Sequence, residues 1–121
     1  KADSTSEEPV FVIQSERTGV SARAILIDGE MEVQAGSLGR GQWVGKLHSY
    51  QSLFDELAAT GVATPTGKMR TFDRNYAFKS PSAASAIVNG RPSNGRTDWK
   101  LESDGRNYAE WEADELAKDD T

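Results

Sequence analysis

The chain has 121 residues and a mass of 13.2 kDa, with 36% hydrophobic and 27% charged residues. That suits one domain with a modest core and excludes disorder throughout. With no cysteine and one histidine, His48, disulfides, thiolate sites and histidine metal clusters are excluded, and a Ser-His-Asp triad would hang on His48 alone. No apolar run approaches the ~20 residues of a membrane span, and no signal-peptide pattern opens the chain. Lys1 stands where an initiator Met would, so a cytoplasmic piece of a longer protein is expected.

The net charge of −5 is unevenly spread. Residues 10–109 hold 12 basic and 10 acidic residues, and from Gly36 to Arg106 ten basic residues oppose six acidic ones. The acidic excess lies at the two ends. A nucleic-acid partner is therefore not excluded by the overall sign. Residues 1–9 read as a polar acidic linker closed by Pro9, residues 10–111 as the globular accessory domain, and residues 112–121 as an acidic C-terminal tail.

Along the domain, Val10 to Gln14 is a short apolar strand, and Val20 to Asp28 reads as a second. Asp28-Gly29 is a type I′ hairpin signal, and Met31, Val33 and Ala35 alternate with polar neighbours in a third strand. These three form an antiparallel meander. Gly36 to Gly45 has four glycines and reads as a loop carrying Arg40 and Trp43, without the strand-turn-helix context of a dinucleotide site. Ser49 to Thr60 is an amphipathic helix with Ser49 as N-cap and Gly61 as its stop. Val62 to Lys68 is a connection, and Met69–Phe72 and Tyr76–Phe78 are short extended pieces. A second helix starts at Ser80-Pro81 and ends at Asn89-Gly90. Asn94-Gly95 is a tight turn. Residues 97–102 and 106–111 are expected to pair as a hairpin around Asp104-Gly105, and the last ten residues form either a frayed helix or a mobile tail. The fold class is thus α+β, a small single domain with an antiparallel sheet and two helices.

The most specific stretch is FKSPSAASAIVNGRPSNGRTDWK, from Phe78 to Lys100. Its skeleton is F-x-SPSAA, a small-residue helix ending in NG, a second NG, and a Trp four residues on. Upstream come Ala22-Arg23-Ala24, a strand end through Glu32 to Ser37, and a Leu57, Gly61, Val62 junction. Over roughly residues 10–111 the chain resembles the domain of unknown function DUF4357, and the SPS…NG…W skeleton is also similar to the RAMA domain. The resemblance implies a bacterial accessory module, often C-terminal to GIY-YIG nuclease modules or beside restriction–modification components. The RAMA domain is proposed to read modified adenine in DNA. Many relatives place an aromatic residue after NG, where this chain has Arg96, so no role of that aromatic carries over.

Several side chains fit that implication. Ser80 and Ser82 open a helix beside Lys79, and a helix N-terminus accepts phosphate; alternatively Ser80 only caps. Asn94 and Arg96 would address a base edge or phosphate, or simply form a turn. Trp99 alternates with Lys100 and reads as core, with a base-stacking wall as the alternative. Trp43, in the glycine-rich loop, is a candidate contact. Arg40, Lys46, Arg70, Arg74, Lys79, Arg91, Arg96 and Lys100 would form a phosphate-binding face if they converge. The expected DNA-binding set is Arg40, Trp43, Lys46, Arg74, Lys79, Ser80, Ser82, Asn94, Arg96 and Lys100. The acidic tails would compete with DNA for that face.

The carboxylates Asp55, Glu56, Asp73 and Asp98 show no spacing that pairs them for acid/base or metal work, and His48 reads as an exposed or capping residue. A stand-alone hydrolase fails for want of a nucleophile and base. The reading is a non-catalytic module without cofactor or metal. Its expected partners are DNA, modified or unmodified, and a host or partner nuclease or methyltransferase domain. The alternative is an interaction module docking on the host's catalytic domain through Trp43.

Overall fold

In the computed structural model, which describes residues 8–45 and 49–119, the first apolar run is β1 (Val10–Gln14). It lies antiparallel to β2 (Ser21–Ile27), with Phe11 opposite Ala24 and Ile13 opposite Ala22. Asp28 and Gly29 take φ values of 52° and 81°, the paired left-handed conformation of a type I′ turn. The turn returns the chain along β2 as β3 (Glu30–Val33), completing the expected meander. Met31 and Val33 face the core, and Glu30 faces out.

The glycine-rich stretch is only partly a loop, which corrects the sequence reading. After β3 the chain swings away from β2 and rejoins it as β4 (Leu38–Arg40), with Leu38 opposite Ser21. Across the excursion the buried Ser37 hydroxyl accepts from Arg23 N at 3.0 Å and donates to the Arg23 carbonyl at 3.3 Å, so the peptide of Arg23 keeps its partners. Gly39 serves close approach. A Cβ there would stand 2.9 Å from the Val88 carbonyl oxygen, and only glycine lets the two backbones meet so closely.

β4 continues onto β6 (Met69–Phe72), and β6 onto β5 (Ala63–Thr66). β3 carries β7 (Tyr76–Phe78), and the other edge of β1 carries β8 (Lys100–Leu101). The path is β5-β6-β4-β2-β1-β8, with β3 and β7 branching from β2. β5 replaces the expected connection over residues 62–68. Pro65 lies within it, and β5 is an edge, where a missing N–H is tolerated.

Helix α1 (Tyr50–Ala59) buries Phe54 and Leu57. The expected cap is not made, since Ser49 is itself helical and its side chain bonds no backbone N–H. Helix α2 (Pro81–Asn89) does start as expected, with Ser80 Oγ accepting from Ala83 N at 3.1 Å. Residues 83–89 are all buried, and their small size lets α2 lie close on the sheet.

The C-terminal hairpin shrinks to β8 and a single bridge from Lys100 to Asn107. Residues Gly95–Asp98 form a helical turn, α3, and Tyr108–Asp119 form helix α4. The cause is a reciprocal capping box. Asn107 Oδ1 accepts from Glu110 N at 2.8 Å, and Glu110 Oε1 accepts from Asn107 N at 2.9 Å. Helical spacing then turns Tyr108 and Trp111 together onto Phe11, with ring centroids at 5.4 and 5.5 Å. The result is one α+β domain with an antiparallel sheet and, among the described residues, four helices rather than two. Among the described residues no helix is long and apolar enough to cross a membrane.

Candidate nucleic-acid interface

The SPS…NG…W skeleton folds into a clasp between α2 and α3. Ser80 caps α2, and Ser82 Oγ accepts from Gly95 N at 3.0 Å. Trp99, fully buried, donates its indole N–H to the Pro81 carbonyl at 3.0 Å. A Cβ on Gly95 would overlap the Pro81 carbonyl group. Asn94 Oδ1 accepts from Arg96 N at 3.0 Å and so caps α3. The side-chain oxygens of Ser80, Ser82 and Asn94 are thus engaged within the protein.

Arg96 pairs with Glu112 at 2.7 Å, with its guanidinium 5.7 Å from the Tyr108 ring centroid. Helix α4 therefore brings an acidic residue onto one of the expected DNA-binding cations. Its Asp114 holds Arg106 as well. That pairing, with Asp104, raises the Arg106 guanidinium above its ordinary range. The Asp104 carboxyl is lowered chiefly by the backbone N–H of Arg106.

Two expected contacts turn inward. Trp43 is half-buried, its ring edge-on to Phe54 at 5.6 Å. Arg70 is 5% exposed, stacks on the Phe54 ring at 3.6 Å from its centroid, and donates to the Phe54 carbonyl at 2.8 Å. Burial lowers its guanidinium below the ordinary range, with Asp55 opposing the shift. Arg70 is thus a core residue and leaves any phosphate-binding face. Arg74 and Lys79 are exposed but line neither of the cavities described next. Lys46 and His48 lie outside the described residues.

What the fold does bring together is a pair of adjoining cavities of about 710 and 690 Å³. They share Arg17, Thr18 and Arg40. The first adds Lys68, and the second adds Arg91 and Lys100. Arg40 and Lys100 of the expected set thus meet, and Arg91 joins them. Arg17 and Lys68 had no sequence signal. Each sits in a turn, β1–β2 and β5–β6, and only the tertiary fold sets those turns side by side. Among the described residues, no carboxylate is within ion-pair distance of any of these five cations.

Three carboxylates line the second cavity, and each has a partner on at least one oxygen. Glu102 pairs with Arg23 at 3.1 Å and Asp104 with Arg106 at 3.0 Å. Asp98 Oδ2 accepts the Ser85 hydroxyl at 2.7 Å. Among the described residues, no group of three or more His, Cys, Asp or Glu is placed to hold a metal ion. The arrangement is a cationic surface suited to an anionic ligand.

The family described as a domain of unknown function (DUF4357) matches residues 11–112. No curated protein and no solved structure matches the chain.

Proposed function

The chain belongs to the DUF4357 family, and from that premise we propose a non-catalytic nucleic-acid-binding accessory domain that holds a nuclease, methyltransferase or restriction subunit on DNA in the cytoplasm. The observation that carries the reading is the set of five cations, Arg17, Arg40, Lys68, Arg91 and Lys100, around two adjoining cavities and, among the described residues, without acidic partners. Guanidinium forks match phosphate oxygens, and neutralising a row of phosphates releases counterions. The net charge of −5 does not oppose this, because the acidic excess lies at the two ends of the chain, while residues 10–109 hold 12 basic and 10 acidic residues. The restriction setting and a modified base are what the family resemblance implies. A docking module would need Trp43 as a free anchor, and its ring lies on Phe54.

The test is fluorescence anisotropy of labelled duplexes, unmodified and N6-methyladenine-containing, at two salt concentrations. Salt-steep binding that is lost in the triple variant Arg40→Glu, Arg91→Glu, Lys100→Glu is expected. A preference for the methylated duplex would extend the reading to modified DNA. Absence of binding at low salt, or an unchanged affinity in the triple variant, would overturn it.

A further inference from the structure

The second cavity carries a polar floor that phosphate does not require. Ser85, fully buried on α2, donates its hydroxyl to Asp98 Oδ2 at 2.7 Å. Asn89, one turn further and 8% exposed, donates its amide to Ser85 Oγ at 3.2 Å and to Asp98 Oδ2 at 3.4 Å. Both donors converge on a single oxygen of Asp98. Among the described residues, Asp98 Oδ1 and Asn89 Oδ1 accept no hydrogen bond. Both residues line the cavity, and both stand on helices rather than loops, which fixes their positions.

Two acceptor oxygens lining one cavity, without a protein donor among the described residues, call for a ligand that donates hydrogens. The surrounding Arg17, Arg40 and Arg91 call for one that is also anionic. A nucleotide whose base bears an exocyclic amino group meets both demands, since carboxylates accept from such amines and thymine or uracil offers carbonyl oxygens in their place. The base face needs no aromatic platform here, because guanidinium planes stack on bases as well. Asn89 is 8% exposed, so a base must leave its stack to bring its Watson–Crick edge to that amide oxygen. We infer that this cavity takes an unpaired nucleotide with an amino-bearing base, its phosphate on Arg17, Arg40 and Arg91 and its amino group on Asp98 and Asn89. The inference rests on the nucleic-acid reading above and adds base choice to it.

The experiment is anisotropy of labelled 12-mers of dA, dC and dT with the full chain, and with Asp98→Asn. The wild type is expected to bind dA and dC about 10-fold more tightly than dT, the discrimination one good base contact supplies. In D98N the ratio is expected to fall to about one while the dT affinity holds. Flexible pyrimidine tracts ordinarily bind such surfaces well, so a dA preference over dT runs against the generic trend. Equal wild-type affinities for the three oligonucleotides would overturn the inference and leave the phosphate reading standing. Loss of all binding at low salt would overturn both. Equal binding of rA and rU, each tighter than dA, would assign the floor to the ribose hydroxyl and overturn the base assignment. If D98N loses its far-UV circular dichroism, the wild-type ratios decide alone.

Discussion

Trp99 donates its indole N–H to the carbonyl of Pro81 at 3.0 Å, tying the end of α3 to the first residue of α2. Ser82 and Gly95 close the same joint, hydroxyl oxygen to backbone N–H, at 3.0 Å. The most distinctive stretch of the sequence is therefore chiefly architectural. Its serines, glycine and tryptophan hold two helices in contact, and α2 in turn carries the Ser85 and Asn89 side chains that orient Asp98.

Gly95→Ala tests this joint. The new methyl group would meet the Pro81 carbonyl, part of a backbone that cannot rotate away. A loss of about 3 kcal/mol in urea unfolding is expected. Gly105→Ala is the comparison, since Gly105 has open space and φ of 83°, and it should cost only about 1 kcal/mol. Equal costs would show that the joint has room to spare.

Arg70 and Arg40 separate a core cation from a surface one. Arg70→Ala removes the stack on Phe54 and the bond to its carbonyl, so a loss of about 3 kcal/mol is expected. DNA affinity should be unchanged where the variant is folded. Arg40→Gln should leave stability within about 0.5 kcal/mol and weaken DNA binding about 5-fold near physiological salt. Thermal melts and anisotropy on both variants check the crossing pattern.

Salt dependence counts the phosphates engaged. If all five cations of the paired cavities contact phosphate, log K against log salt has a slope of about −4.5 for duplex DNA. Arg17→Gln and Lys68→Gln should each flatten it by about 1. A slope near zero in the parent chain would refute the phosphate contacts.

Tyr108 makes stability depend on alkaline pH. Burial raises its phenol above the ordinary value of 10.0, with Glu112 adding to the shift and Arg96 opposing it. The folded state favours the neutral phenol, so this contribution is fully present below pH 10 and is lost as pH rises through the raised value. Urea midpoints from pH 9 to 11.5 should fall with pH, and Tyr108→Phe should reduce the slope. Identical slopes in the two proteins would contradict the assignment.

Legibility followed the range of the interaction. The Asp28-Gly29 turn and the Ser80-Pro81 helix start are local, and both were readable because each residue acts on its own backbone. The Asn107-x-x-Glu110 capping box is equally local, yet the alternation of residues 106–111 also fits a strand. β4 was obscured for another reason. Gly39 is poor strand chemistry, and its use appears only when Val88 of α2 lies against it. Pro65 likewise looks like a break until β5 is seen to be an edge.

Local chemistry alone accounts for the α+β class, the opening meander, the capped α2 helix and the burial of Trp99. Each follows from periodicity or from hydrogen bonds between near neighbours in the chain. The tertiary structure alone decided which cations share a surface. Charge along a chain carries no direction in space. It took the packing of the β1–β2 turn beside the β5–β6 turn to set Arg17 and Lys68 with Arg40, and α4 to turn Arg96 toward Glu112. It took Phe54 to draw Arg70, as basic in sequence as the others, into the core.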